Sequence, residues 1–415
     1  MEQEVQASAP NPSWWQRNRL HLAIFGTALC ILAATSADRL LRQSRAPHFV
    51  YQADAFLHGQ LHLRVPPPND NDWVVFEGKT YVSFPPAPAL LMTPFVAFFG
   101  LGFNDVLFTL PFGALNVLLM FLVLQRLRRE GLSELGVRDN LWLTGLFGFG
   151  SLHYVYAVLG EVWFTAQILG VTFSLLYVLA SMRAARPLLA GLCLAMAWDC
   201  RANLAFSVGF FALQLVFPRG EGGRPAAGSW ARAARQAALF ALPILVAGGL
   251  QMLMNHARFH DALEFGHVFL GGPAGRRIQE HGMFSWHYLE WNLHALFLRL
   301  PVRLEGFPWL GYNADGLSIF LTSPVLARLL WPRARPWMYP ILWATAIPAL
   351  LPPLFYQNSG YVQFGYRFSL DITPYLVMLL AVGRVPMNRW TRALILVGVA
   401  VNLVGAIAFK RSGPI

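Results

Sequence analysis

Apolar residues fall into long runs along this chain, at 20–37, 105–125, 141–159, 163–182, 237–254, 338–356, 367–383 and 393–409. A helix needs roughly 20 apolar residues to cross a hydrocarbon core about 30 Å thick, so each run is of spanning length or close to it. A soluble fold would have no place for them. One more stretch, 188–217, is apolar but interrupted by Asp199 and Arg201, and reads as two short helices hinged there. The first run follows WWQRNRLH without a small-residue cleavage site. It is expected as a retained first helix with Arg17 and Arg19 on the cytoplasmic side.

The polar segments between the runs set the topology. Basic, acid-poor clusters stand at Arg126/Arg128/Arg129, Arg183/Arg186, Arg219/Arg224/Arg232/Arg235, Arg333/Arg335 and Arg384/Arg389/Arg392. Such clusters stay in the cytoplasm, so all are expected on one side. The first helix exits near Asp38 and Arg126 must be inside again, which leaves one crossing between them. The run at 105–125 takes it, and residues 85–100 then form a short interfacial or re-entrant helix on the outer face. Pro85, Pro86, Pro88 and Pro94 favour this, because each lacks a backbone donor. Carried through the chain, the alternation gives about eleven crossings, N-terminus in and C-terminus out. The expected organisation is a tail at 1–19, one transmembrane domain at 20–409 and a tail at 410–415. Its outer loops run over 38–104 and 256–313, with shorter outer segments near Glu161 and at 357–366.

Composition agrees with an all-α polytopic membrane protein: 56% of residues are hydrophobic, 13% are charged, and the mean hydropathy is +0.45. A formal charge of +11 could point to nucleic acid. Its arrangement as short arginine clusters between spans fits topology instead, and no nucleic-acid partner is expected. Cys30, Cys193 and Cys200 sit in apolar segments without CxxC or His/Cys ligand spacing, so neither a disulfide framework nor structural zinc is expected. A lipid or solute transporter or flippase is the main alternative class. It would call for paired repeats and broken helices meeting at mid-membrane, whereas this sequence shows no repeat and gathers its acids at one face. A noncatalytic membrane scaffold is a third class, made less attractive by the outer polar groups.

The largest polar interruption is PPPNDNDWVVFEGKTYVSFPP, 66–86, with NDNDW and EGK reading as turns and TYVSF as a short extended piece. Before it, Phe49, Val50, Ala53, Phe56 and Leu57 recur at helical spacing with His48, Gln52 and Asp54 between them. This predicts an amphipathic helix on the membrane surface. YLEWNLHALFLRLP, 288–301, reads as another surface helix.

The order of these features resembles the GT-C glycosyltransferases, membrane enzymes that use polyprenyl-phosphate-linked sugars. The matching features are a first span, a surface helix ending in FLHG, the segment GKTYVSFPPAPALL, a non-spanning proline helix, and a second span ending in arginines. The pattern is most similar to the protein mannosyltransferase and aminoarabinose transferase types. Gly78, Tyr81 and Phe84-Pro85-Pro86 stand where those sequences carry a glycine, a tyrosine and a Lys-Pro-Pro or Tyr-Pro-Pro step. NHARFHDALEFGH (255–267) and QFGYRFSLDITPYL (363–376) also resemble segments of bacterial members. One departure matters: the Asp-Glu pair that many relatives carry before the surface helix is replaced by SRAP, so the general base does not transfer by position.

The resemblance implies transfer of a sugar from a polyprenyl phosphate to an acceptor hydroxyl, on the outer face of a bacterial inner membrane. That chemistry needs a carboxylate to take the acceptor proton, and cations or a divalent metal ion to steady the departing phosphate. Three carboxylates are candidates for the catalytic role. Asp38 lies at the exit of the first helix, where the resemblance places the base, or simply marks the membrane boundary. Asp72, with Asp70 beside it, binds a substrate or metal, or makes a turn. Glu161 is an ionisable group in a very short loop between apolar helices, costly unless used or paired. Arg367, next to Tyr366, either grips the donor phosphate or neutralises Asp371 one turn on. Arg201 beside Asp199 carries the same two readings. His48 and His58 are candidates to touch phosphate, Tyr81 belongs to the matched motif, and Arg276/Arg277 suit anionic headgroups. The eleven histidines show no HExxH pattern, and the metal question stays open.

Overall fold

The computed structural model describes residues 14–216, 227–305 and 309–411. Arg219, Arg224 and most of both terminal tails lie outside the described residues. Among the described residues six helices are long and apolar enough to cross a membrane: α1 (Trp14–Ser36), α4 (Asp105–Arg129), α7 (Val162–Ser181), α10 (Ala227–Phe259), α14 (Met338–Phe355) and α16 (Arg389–Ala408). Between them lie α2 (His48–Leu57), α3 (Ala87–Phe99), α5 (Val137–Phe149), α6 (Leu152–Ala157), α8 (Pro187–Trp198), α9 (Gly209–Val216), α11 (Gly272–His281), α12 (Leu289–Phe297), the one-turn α13 (Ile319–Thr322) and α15 (Thr373–Val382). The protein is an all-helical integral membrane protein. Among the described residues its sheet is limited to a hairpin of β1 (Trp73–Phe76) and β2 (Lys79–Val82), and a two-residue pair further on.

Local chemistry sets the ends of the long helices. Asn104 caps α4, its side chain accepting from the Val106 and Leu107 amides at 2.9 and 3.1 Å, and relieves two of the orphan donors of the first turn. Asp105 in that turn and Arg126, Arg128 and Arg129 in the last complement the helix dipole. Asn388 caps α16 through the Thr391 amide at 3.0 Å. α15, buried at every position, is the centre of the bundle. α10 instead exposes Leu242, Leu245, Leu250 and Leu253, the apolar face expected of a helix against lipid.

The arginine clusters meet at one end of the bundle. Arg126 and Arg183 share Glu130, Arg384 reaches Glu134 at 2.8 Å, and Arg392 reaches Asp139 at 3.2 Å. Arg333 and Gly383 are joined there by a 2.8 Å backbone bond. α3 stays away from that end. Its first amide, Ala87 N, donates to Asp199 O at 3.1 Å, and just beyond its last turn Gln43 donates to Leu101 O and Phe103 O at 2.7 and 2.8 Å. The helix is 13 residues long, about 20 Å at the usual rise, too short to span. It packs with α2 on the halves of α4 and α7 away from the arginine-rich end, through Phe49, Met92, Val96, Phe108 and Ala166.

The structure refines four expectations. The run at 141–159 is broken at Gly150–Ser151 into α5 and α6. The run at 367–383 opens with a 3-10 turn, Arg367–Asp371, before α15. That turn rotates Asp371 away from the α-helical spacing that would face it to Arg367. TYVSF gains a partner strand, with Trp73 opposite Val82 and Phe76 opposite Lys79 across the Glu77-Gly78 turn. α2 does not lie on the surface with a wet face: His48, Gln52 and Asp54 are buried along with Phe49 and Val50, because α3 and the hairpin cover it.

These contacts predict opposite sidedness for Glu77 and Arg128. With Cys30, Cys193 and Cys200 replaced by alanine, a cysteine at 77 should react with an impermeant thiol reagent from outside only, and one at 128 from the cytoplasm only. Labelling of both from the same side would mean that α3 crosses.

Candidate functional site

Away from the arginine-rich end, two guanidinium groups flank the ring of Phe368: Arg201 at 5.3 Å from its centroid and Arg367 at 5.2 Å. They are unequally served. Asp371, fully buried, accepts from Arg201 at 3.0 Å and from Asn203 at 3.0 Å. Asp371 is therefore the counter-ion of Arg201, a residue 170 positions away, and not of Arg367. Arg367 is 7% exposed, its Nε is buried without a hydrogen-bond partner, and no carboxylate lies within ion-pair distance of it among the described residues. Its other neighbour is Trp163, 5.9 Å away. The main chain holds it firmly: Arg367 N donates to Gln363 at 2.7 Å and Arg367 O accepts from Gln167 at 2.7 Å. Gly360 (φ 107°) is required here, because a Cβ would stand 2.5 Å from Gln363 Oε1 and 2.8 Å from Arg367 Nε.

Trp163 joins this pair to the polar insert. Its Nε1 donates to Asp72 Oδ2 at 2.9 Å. Asp72 has φ 55°, a turn conformation that aspartate tolerates, and the field of its carboxylate reaches His48, His267, Tyr356 and Arg367. His48 fixes the loop from below: Nε2 donates to Asn71 O at 2.7 Å and the ring stacks on Trp73 at 3.7 Å, 3° from parallel. Burial pushes His48 down to about 4, although the Asn71 and Ala46 backbone and the nearby Asp72 favour its charged form. Buried His267 is pushed down to about 4 in the same way. Both are neutral at physiological pH, so neither supplies charge for a phosphate.

Asp72 also lines a cavity of about 850 Å³. Asp70, Asn71, Asp315, Asn358 and Arg277 provide its polar groups, and Trp73, Trp291 and Tyr361 its aromatic walls. Arg277 Nε is held by Gln357, through backbone and side-chain oxygens both at 2.9 Å. The carboxylate of Asp72 thus faces a polar, aromatic cavity and is joined through Trp163 to a guanidinium that has no counter-ion among the described residues.

Glu161 lies across Trp163 from Asp72, buried at the N-terminus of α7. Its partner is Lys410, whose Nζ is 3.0 Å from Oε2, an ion pair by distance whose angle falls outside hydrogen-bond geometry. Lys410 Nζ also sits 5.4 Å from the Trp163 ring centroid. Gly160 makes this corner possible, because a Cβ there would stand 2.4 Å from Val106 N. Asp38 lies apart, half exposed and paired with Arg42 and with Arg411 at 3.0 Å, where it ties the last helix to the first. Tyr366 is buried and its hydroxyl donates to Pro353 O at 3.2 Å. Tyr81 packs its ring on Phe259 at 5.3 Å inside the hairpin cluster. His58 pairs with Asp54, and Asp199 accepts from Gln251.

Sequence reading passed over Trp163, Lys410, His267 and Asp105. Asp105, 1% exposed, accepts from Ser44 N and Oγ at 2.8 and 2.6 Å, so the SRAP segment holds a carboxylate from elsewhere in the chain. A buried acid at a helix start was the signal available for it. Among the described residues no group of three or more His, Cys, Asp or Glu side chains could hold a metal ion.

Neither a protein-family model nor a curated protein matches the sequence. Among solved structures, the chain is similar to ArnT from Cupriavidus metallidurans bound to undecaprenyl phosphate, at 15% identity and a TM-score of 0.49, over 94% of this chain and 64% of that one. It is also similar to the Archaeoglobus fulgidus oligosaccharyltransferase in the apo form, at 14% identity and a TM-score of 0.44, over 95% of this chain and 57% of that one. The chain spans less than two thirds of the length of either.

Depressed histidine values carry a sign. Below its unfolded value of 6.5 each of these histidines binds protons more readily unfolded than folded, so the stability it contributes is complete above pH 6.5 and is lost as the pH falls toward 4. Thermal unfolding in detergent should show a midpoint that drops over that window. The drop should be shallower in His48→Gln, which keeps a donor for Asn71 O. Identical slopes for the two proteins would show that His48 is not held neutral.

Proposed function

We propose that this protein is an integral membrane glycosyltransferase of the GT-C type. In this reading it moves a sugar from a polyprenyl-phosphate donor to an acceptor hydroxyl at the outer face of a bacterial inner membrane. The observation that carries the reading is Arg367, a buried guanidinium with no carboxylate in ion-pair distance among the described residues, set over the Trp163 ring whose Nε1 holds the cavity-lining Asp72. An uncompensated buried charge costs several kcal/mol, and a phosphate is the anion its planar fork matches bidentately. Arg201, oriented by Asp371 and Asn203, adds a second positive charge across Phe368. The sequence resemblance supports the same chemistry.

The residues divide the reaction between them. Arg367 binds the donor phosphate and stabilises the charge that grows on it as the bond from the sugar C1 to the phosphate oxygen breaks. The acceptor enters through the cavity, where Trp291 and Tyr361 offer apolar faces and Asp70, Asp315 and Asn358 offer hydrogen-bond acceptors. Asp72 takes the proton of its hydroxyl as the new bond to C1 forms. Trp163 holds Asp72 and separates it from the Glu161–Lys410 pair, so that the base is not consumed by the lysine. Asp38, Tyr81 and Tyr366 support the scaffold, and Glu161 positions Lys410.

The test is sugar transfer from an undecaprenyl-phosphate sugar at matched membrane levels. Asp72→Asn should lower transfer about 10²- to 10⁴-fold, the range for loss of a general base. Arg367→Lys keeps the charge and loses the fork, and should lower transfer on the order of 100-fold, as for removal of one oriented donor. Near-normal transfer by Arg367→Lys would show that the phosphate is held elsewhere. Asp38→Asn should stay within a few-fold of the parent, and a loss as deep as that of Asp72→Asn would move the base to the exit of α1.

A further inference from the structure

The arginine-rich end holds a second built feature, unrelated to the cavity at Asp72. A pocket of about 320 Å³ opens between the ends of α4 and α7. Arg126, Arg129 and Arg186 line it, over a floor of Leu122, Leu179 and Met182. Glu130 is the acid at this corner, and it is taken by Arg126 at 2.7 Å and by Arg183. Arg129 and Arg186 have no ion-pair partner among the described residues.

The positive-inside rule asks only for charge near the end of a span. It does not ask for a concave site with cations above and hydrocarbon below. Nor does it explain the backbone that builds this one. Arg183 and Ala184 both adopt positive φ, 57° and 48°, a conformation that L residues adopt only when the surroundings hold it. It is held by two other helices: Arg183 N donates to Gln214 at 3.0 Å and Gln236 donates to Ala184 O at 2.9 Å. The bend turns the chain back so that Arg186 faces Arg126 and Arg129 across the pocket.

We propose that this pocket binds the phosphate of an anionic phospholipid from the cytoplasmic leaflet, with Arg129 and Arg186 on the phosphate oxygens and the acyl chains along Leu122 and Leu179. The ligand chemistry is a phosphodiester anion joined to hydrocarbon, which a basic pocket between membrane helices suits.

Native mass spectrometry of the full chain, released from micelles containing equal phosphatidylglycerol and phosphatidylcholine, reads the site directly. Phosphatidylglycerol should be retained preferentially, and Arg129→Gln/Arg186→Gln should bind it roughly thirty-fold more weakly, the loss of two guanidinium attractions at a membrane surface. Arg129→Lys/Arg186→Lys, which keeps both charges, should recover most of the binding and shows that the loss is not misfolding. Arg128→Gln removes a charge from the same helix end outside the pocket and should change binding little. A loss in Arg128→Gln as large as in the double variant would mean diffuse charge, and overturn the proposal. So would equal retention of the two lipids. Thermal unfolding with inorganic phosphate separates the two sources of the anion. A rise with phosphatidylglycerol alone supports a lipid site, and an equal rise with phosphate alone overturns it.

Discussion

A guanidinium buried among apolar helices must be matched by an anion or by oriented carbonyls, and that requirement organises the half of this molecule away from the arginine-rich end. Each buried arginine there meets it differently. Arg39 donates to the carbonyls of Ala406 and Phe409 and so draws the end of the last helix onto the first. Arg258 donates to Val82 O at 2.8 Å and to Asn255 at 2.7 Å, tying the hairpin to α10. Arg201 takes Asp371. Arg367 is the exception, surrounded by aromatic faces that lower the local dielectric and strengthen whatever electrostatic contact it makes.

The neighbours of Arg367 follow from this exception. Trp163 serves three of them at once, with a ring under Arg367, a ring over Lys410 and an N–H on Asp72. One side chain thus separates two carboxylates and two cations that would otherwise pair and cancel. His48 acts lower down, neutral and stacked on Trp73, to set the loop that carries Asp72. The polar insert at 66–86 is in this sense a roof. Its prolines and hairpin close over α2 and leave one acid turned inward.

Much of this was legible in the chain. Run lengths and arginine clusters placed the long helices and sorted their ends, because spanning length and charge sidedness are imposed on each segment separately by the bilayer. The prolines of 85–100 marked α3 as a short helix, 13 residues long, and the acid at 199 marked the hinge after α8. Glu161 was recognisable as an ionisable group in a costly place, Asp72 as an acid in the polar insert, and Arg201 and Arg367 as cations set in apolar segments. Asp38 looked equivalent to them from its position alone, and the structure sets it among surface arginines.

What the sequence determined by itself is what local rules govern: the length of the long helices and the gathering of the arginine clusters at one end of the bundle. Pairing was decided only by the tertiary structure. Arg367 and Asp371 stand at a spacing that predicts mutual neutralisation, yet a 3-10 turn parts them and Arg201 arrives from 170 residues away to take the carboxylate. Ser44 meets Asp105, Glu161 meets Lys410, and Asp72 meets Trp163, pairs that also lie far apart in sequence. Partner choice between ions depends on their separation in space and on the dielectric between them, and both are fixed only when the helices pack.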